Sequence, residues 1–342
     1  MINLNDLTLA ELQKALENIG EPKFRAKQIF KWFSRGVTSL NEMTDISAKT
    51  KEKIKENYNI ANVNIWQRFD SKLDETKKYL MELDDGNVIE TVAMFYKHGI
   101  TVCISTQVGC NMGCKFCAST IGGKTRNLTA GEILGQVATV QRDLGTRISN
   151  IVLMGIGEPL DNFEHVLNFL KNVNDENGMC IGYRHISLST CGLVDKIKAL
   201  SEENIPITLS VSLHAPDNET RNKIMPVNKK YKVEELISAC RDYQSVTGRR
   251  ISFEYILINQ LNDTKKHAET LIKLTMGMLS HINLIPANFV KESGFVKSTP
   301  ERVKAFKQYL ENNGIIVTVR RELGSDISAS CGQLRRKHST ER

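Results

Sequence analysis

The first sixty positions carry apolar residues at helical spacing, after which the period shortens to that of strands. Thr8-Leu9-Ala10-Glu11 reads as a capping box opening a first helix. Pro22 can open the next, which carries Phe24, Ile29, Phe30, Trp32 and Phe33 and which Gly36 ends. Ser47 to Tyr58 reads as a third helix of mixed charge. Trp66–Phe69, Lys78–Leu83 and Asn87–Phe95 look like short strands, with Asp84-Asp85-Gly86 as a hairpin turn. A domain boundary is expected in this stretch, between Lys72 and Lys97.

From Gly99 onward strands and helices alternate. The strand candidates are Ile100–Thr106, Ser149–Met154, His185–Ser189, Pro206–Leu213, Ile251–Ile258, His281–Ile285 and Ile315–Arg320. Helix candidates between them include Thr129–Gln141, Phe163–Val173, Val233–Thr247, Lys265–Met278 and Pro300–Glu311. Six βα units with apolar strands imply an α/β fold whose parallel sheet is covered by helices. Eight units would close a barrel. Six suggest an open, partial barrel, and a doubly wound sheet is the rival that spacing alone does not separate.

Composition narrows the class. The 342 residues are 41% hydrophobic and 25% charged, ordinary globular usage that excludes disorder, collagen and a disulfide-framed miniprotein. No apolar run approaches the ~18–20 residues of a membrane span. The start, Met1 to Asp6, lacks the basic and apolar regions of a secretory signal, so a cytoplasmic protein is expected. Its eight cysteines then read as ligands, catalysts or core filler before disulfides. The net charge of +7 is unevenly spread. Arg221 to Arg250 holds eight basic residues against Glu234, Glu235 and Asp242, and Arg320 to Arg342 holds six against Glu322, Asp326 and Glu341. Such clustering fits a polyanion partner or an unevenly decorated solvated surface.

The chemistry concentrates after the first strand of the alternation. Cys110, Cys114 and Cys117 form CxxxCxxC on a loop at that strand's C-terminal end, where barrel enzymes keep their chemistry. Three thiolates can hold three irons of a [4Fe–4S] cluster and leave the fourth open. A zinc site needs a fourth ligand. The nearest thiol is Cys103, at a spacing unlike a zinc knuckle. Polar groups also stand at later strand ends: Gly157 and Glu158 in Met154–Pro159, Ser189 in the third strand, Ser212, Leu213 and His214 in the fourth, and Asn288 after the sixth. Singly each is an ordinary loop residue, and His214 could be a packed core histidine. Together they suit one pocket, in which Glu158 accepts from an ammonium group.

CxxxCxxC in this context resembles the signature of radical S-adenosylmethionine (SAM) enzymes. The run Gln107–Thr120, Arg126–Thr129, GEPL at Gly157–Leu160, SLHAP at Ser212–Pro216 and Ala329–Leu334 resembles the RlmN family, over essentially the whole chain. The sister group Cfr resembles it over the same span, but Pro159 and Cys117–Thr120 look like RlmN.

The resemblance implies a radical SAM partial (β/α)6 barrel at 98–320. A helical accessory domain at 1–71, a β-hairpin extension at 72–97 and a C-terminal loop and basic tail at 321–342 flank it. It implies methylation of carbon-2 of an adenosine, in the peptidyl-transferase centre of 23S rRNA and just 3′ of some tRNA anticodons. One [4Fe–4S] cluster on Cys110, Cys114 and Cys117 and two SAM molecules per turnover would serve a monomeric enzyme. The pocket residues Gly157, Glu158, Ser189, Ser212, Leu213, His214 and Asn288 become SAM contacts. Cys331 would take a methyl group from the first SAM. The radical from the second would abstract hydrogen from that methyl, and the resulting carbon would add to the adenine. Glu90 would remove the carbon-2 proton, and Cys103 would resolve the protein–RNA crosslink, leaving a disulfide with Cys331. A flavodoxin or ferredoxin would supply electrons. Arg335, Arg336 and Lys337 would favour the Cys331 thiolate, and Lys23, Arg25, Lys27, Lys31 and Arg35 would grip RNA phosphates. Cys180, Cys191 and Cys240 are expected to be structural, Cys191 being the exception to watch beside Ser189. Three other readings stay open: a Cfr-type carbon-8 methyltransferase, a zinc-stabilised RNA-binding module, and a thiol redox protein built on Cys103 and Cys331.

Overall fold

The computed structural model describes residues 1–288, 290, 292–335 and 337–338. The N-terminal helices are α1 (Leu9–Asn18), α2 (Phe24–Phe33) and α3 (Ala48–Asn57). The capping box is present: Thr8 accepts from the Glu11 N–H, and Glu11 accepts from the Thr8 N–H at 2.8 Å. The helices bury a core of their own, including Leu12, Leu16, Ile29, Phe30, Phe33 and Ile54.

Strands β1 (Val63–Asp70), β2 (Lys77–Leu83) and β3 (Asn87–Tyr96) follow as an antiparallel meander. Val63, Tyr79, Met81 and Ile89 belong to the main core, not to the helical one. The break between units therefore falls near residue 60, because β1 already pairs with the sheet. The expected boundary at 71 cuts the chain too late.

The remaining elements are β4 (Gly99–Cys103), α4 (Ala130–Leu144), β5 (Asn150–Leu153), α5 (Phe163–Asn174), β6 (Ile186–Thr190), α6 (Val194–Glu202) and β7 (Thr208–Ser212). After them come α7 (Asn218–Ile224), α8 (Val233–Thr247), β8 (Ile251–Leu257), α9 (Lys265–Thr275), β9 (Ser280–Pro286), α10 (Pro300–Asn312) and β10 (Val317–Val319). The sheet runs β10-β9-β8-β7-β6-β5-β4-β3-β2-β1. β4 to β10 are parallel neighbours in chain order. That order never reverses, which excludes the doubly wound alternative and gives an open barrel of six βα units and a closing seventh strand. β8 is buried along its whole length, as a strand covered on both faces must be.

The meander turns what would be a bare barrel edge into a paired one, since β3 lies antiparallel to β4 with Val92 opposite Cys103. Lys337–His338 pairs with β3 across Val88 and Asn87, so the chain's end returns to the mouth of the barrel. The helical unit is clamped on by side chains: Asp6 accepts from the Gly131 N–H at the start of α4 (2.7 Å), and Asn172 donates to the Leu7 carbonyl (3.1 Å).

Candidate active site

The loop between β4 and α4 lies across the C-terminal ends of the strands. It is held by backbone bonds from Cys117 N–H to Cys114 O (3.1 Å), Lys115 N–H to Ile224 O (2.9 Å) and Ala118 N–H to Gly332 O (2.7 Å). Cys110, Cys114 and Cys117 all line one open cleft with about 900 Å³ of free space. Burial pushes the Cys110 thiol up to about 12 and raises those of Cys114 and Cys117. Such thiols ionise only beside a cation, so the donor set fits a group that brings positive charge. Among the described residues no three His, Cys, Asp or Glu side chains converge closely enough to hold a single metal ion. A tetrahedral zinc would demand that convergence, whereas a cluster spreads its thiolates over separate irons. Nor is Cys103 a fourth ligand: it packs in another group, with Val92, Met94, Ile156 and Leu334.

The strand ends supply the opposite wall. Gly157, Glu158, Ser189, Ser212 and His214 line the cleft, with Cys191, Glu254 and Phe116. Glu158 is buried, and its carboxylate accepts from the N–H groups of Leu160 (3.0 Å) and Cys191 (2.7 Å). Burial raises its pKa, and those bonds oppose the rise. His214 has a left-handed backbone (φ 56°), which turns its ring inward against the edge of Phe116. Its Nδ1 accepts from the Ile256 N–H (3.0 Å), so the ring is neutral with its proton on Nε2. Burial lowers its pKa to about 3.

Two expected pocket residues lie elsewhere. The Leu213 side chain belongs to the main core, one residue past the end of β7. Asn288 lines an adjoining cavity and donates to the Cys331 carbonyl at 2.8 Å. Cys331 lines both spaces. Cys103 lines neither, but lies within electrostatic reach of Cys331, and burial pushes it up to about 12. Glu90 is buried in β3, where Oε2 accepts from the Arg335 N–H (3.3 Å) and Oε1 lies 3.7 Å from Lys78 Nζ. All eight cysteines are free thiols.

The charge beside Cys331 differs from expectation. Arg335 turns away to a two-pronged pair with Glu292 (2.8 Å each), and Arg336 and the Lys337 side chain lie outside the described residues. The cation that faces Cys331 is Arg320, at the end of β10, shared by both spaces. Its place at a strand end was a usable signal. Arg221, counted with a surface cluster, is fully buried, and nothing local to it in the sequence announced that.

Comparison with known proteins adds to this geometry. Residues 104–274 match the radical SAM superfamily model, and residues 2–60 match the ribosomal RNA large subunit methyltransferase N-terminal domain. The chain is 52% identical to a probable dual-specificity RNA methyltransferase RlmN of Clostridium novyi, over 99% of each chain. It is 55% identical to the one so described from Caldanaerobacter subterraneus subsp. tengcongensis, over 100% of each. A crystal structure of a radical SAM methyltransferase from Sphaerobacter thermophilus is similar with a TM-score of 0.93 and 43% identity, covering 98% of this chain and 99% of that one.

Proposed function

This chain belongs to the RlmN family of the radical SAM superfamily, and from that premise we propose that it methylates carbon-2 of adenosine in 23S rRNA and in tRNA. It is a SAM-dependent RNA methyltransferase whose cofactors are a [4Fe–4S] cluster and SAM. Among the described residues no helix is long and apolar enough to cross a membrane.

When bound, the cluster supplies the electron that cleaves SAM and so makes a radical able to attack a carbon with no acidic proton. Cys110, Cys114 and Cys117 would hold it. Glu158 would accept from the ammonium group of SAM, while Ser189 and Ser212 face the same cleft. The neutral His214 presents an N–H donor without adding charge. Cys331 stands where the cleft meets the adjoining cavity, so its sulfur can take a methyl group from one side and present it to a base on the other. Glu90 accepts the carbon-2 proton. Cys103 resolves the Cys331 adduct. The exposed Lys23, Lys27, Lys31 and Arg35 of the helical unit take RNA phosphates, with Arg35 stacked on Trp32, while Arg25 is half-buried, lies over Phe24 and donates to Gln28 (2.9 Å) and the Asp45 carbonyl (3.2 Å). The target base must leave its stack to reach the cavity. An acidic one-electron protein such as flavodoxin or ferredoxin supplies the reductant.

The observation that carries this reading is a single thiol, Cys331, shared by two spaces, one of which also holds the three-cysteine loop. Mass spectrometry of the C-terminal peptide should find Cys331 methylated in protein purified without oxygen. Digested RNA from a deletion strain carrying the gene should contain 2-methyladenosine. A carbon-8 product would support the Cfr-type chemistry instead, and an unmodified Cys331 with no RNA product would refute the proposal.

A further inference from the structure

Helix α7 leans on the cysteine loop, since Ile224 accepts from the Lys115 N–H and the next residue, Met225, lines the cleft. Arg221, on that helix, is 0% exposed. Its Nε donates to Leu213 O (3.0 Å) and its Nη1 to Asn228 Oδ1 (3.1 Å). Its Nη2 donates to Cys191 O (2.7 Å) and Ser212 O (3.1 Å). Every acceptor is neutral. Among the described residues no carboxylate forms an ion pair with it. Glu158 reaches the same Cys191 but bonds its N–H, and Asp217 caps α7 and faces His267 at 3.8 Å.

A whole positive charge is therefore buried without an ion-pair partner among the described residues, behind the wall of the cleft and within electrostatic reach of Cys114 and Cys191. Burial of an unpaired charge is costly, and breaking up a fold's polar core for it needs a compensating anion. A cluster held by three thiolates is that anion, and it becomes more negative when reduced. We propose that Arg221 is the counter-cation of the iron–sulfur cluster, raising its reduction potential, while its fork ties the ends of β6 and β7 to α7. This rests on the cluster assignment above. Lysine would keep the charge but not the four-bond fork, and glutamine would keep a donor but not the charge. The two roles can thus be pulled apart.

The test is a redox titration of the reconstituted, oxygen-free holoprotein, with dithionite delivering one electron to the cluster and electron paramagnetic resonance reading the reduced form. Arg221→Gln should lower the potential by a tenfold change in the reduction equilibrium or more, equivalent to 59 mV for one electron. Arg221→Lys should stay much closer to the wild type. Asn228→Asp keeps Arg221 but places a carboxylate against Nη1, and should shift the potential in the same direction as Gln. An unchanged potential in Arg221→Gln with full cluster content overturns the inference, as does a Lys variant that falls as far as Gln. If circular dichroism shows that the Gln variant does not fold, Asn228→Asp decides alone, an unchanged potential overturning the idea. A wild type that takes up no cluster refutes the assignment beneath, and this inference with it. A normal cluster with unmoved variants refutes only the role of Arg221.

Discussion

Glu158 holds the most exacting position among the cleft side chains, because both its oxygens are already committed to backbone N–H groups. Its pKa lies above the ordinary 4.5, chiefly through burial. If Glu158 holds the SAM ammonium as proposed, that ammonium would stabilise the ionised form, and SAM affinity should fall as pH drops through that raised value. Glu158→Gln should weaken binding about 10–100-fold, the loss of a charge-assisted bond of ~1.5–3 kcal/mol, and should remove the pH dependence. Equilibrium dialysis against pH checks both, and a flat wild-type profile would refute the role. His214 acts on stability. Above its ordinary value of 6.5 it is neutral folded or unfolded and contributes nothing. As pH falls from 6.5 towards about 3 the unfolded chain takes up a proton that the fold refuses, so stability is lost across that window. Chemical unfolding at a series of pH values should show a shallower loss in His214→Gln. The three cysteines of the CxxxCxxC loop were legible as a candidate set because their spacing lies within one loop. Arg221 was not, because what it does depends on acceptors brought in from other strands, and Arg320's strand-end place marked it for the pocket without showing which thiol it faces.

The strand ends decide the site at the scale of elements, and there the sequence reads well. Strand and helix candidates from Ile100 to Arg320 fall on observed elements within a few residues, since apolar parallel strands and capped helices announce themselves locally. The expected strand Ile100–Thr106 overruns the observed one, which ends at Cys103, and the chain resumes as the short strand Gln107–Gly109. That break lets Gln107 turn to accept from the Glu158 N–H (2.9 Å), a contact 51 residues away that no local pattern encodes. The same contact constrains Gly157. Its backbone is left-handed at φ 109°, and a Cβ there would lie 2.6 Å from Gln107 Cβ. Gly157→Ala should therefore displace the turn that carries Glu158, since neither the conformation nor the space admits a side chain. The expected result is a folded protein, cooperative on thermal melting, with SAM binding lost. A variant that binds SAM like the wild type would show the turn to be unimportant.

Assembly of the whole molecule brings together a helical unit with its own core and a barrel that does chemistry, joined by side-chain bonds that include Arg142 to the Gly36 carbonyl (3.0 Å) and to Glu42 (2.8 Å). Sequence placed the break late because β1 carries only four residues of strong strand character, Trp66 to Phe69, and its pairing with β2 is a tertiary fact. Asp6 spans the junction by accepting the Gly131 N–H, one of the donors that the first turn of α4 would otherwise leave unpaired. Removing such an acceptor costs about 0.5–2 kcal/mol, small against the stability of a fold this size. Asp6→Ala should thus leave SAM cleavage near wild type while loosening the unit proposed to grip RNA. Charge reversal of Lys27 and Lys31 attacks the grip itself: RNA affinity should fall, and its dependence on salt should become shallower, because fewer counterions are released on binding. The two effects differ in kind. Asp6→Ala should weaken RNA binding with the salt slope unchanged, since the phosphate contacts survive but are worse placed. Filter binding over a salt series, beside an RNA-independent assay of SAM cleavage, distinguishes them. Equal salt slopes for the charge-reversed and native proteins would mean that the helical unit serves the barrel as a brace and that the RNA is held elsewhere.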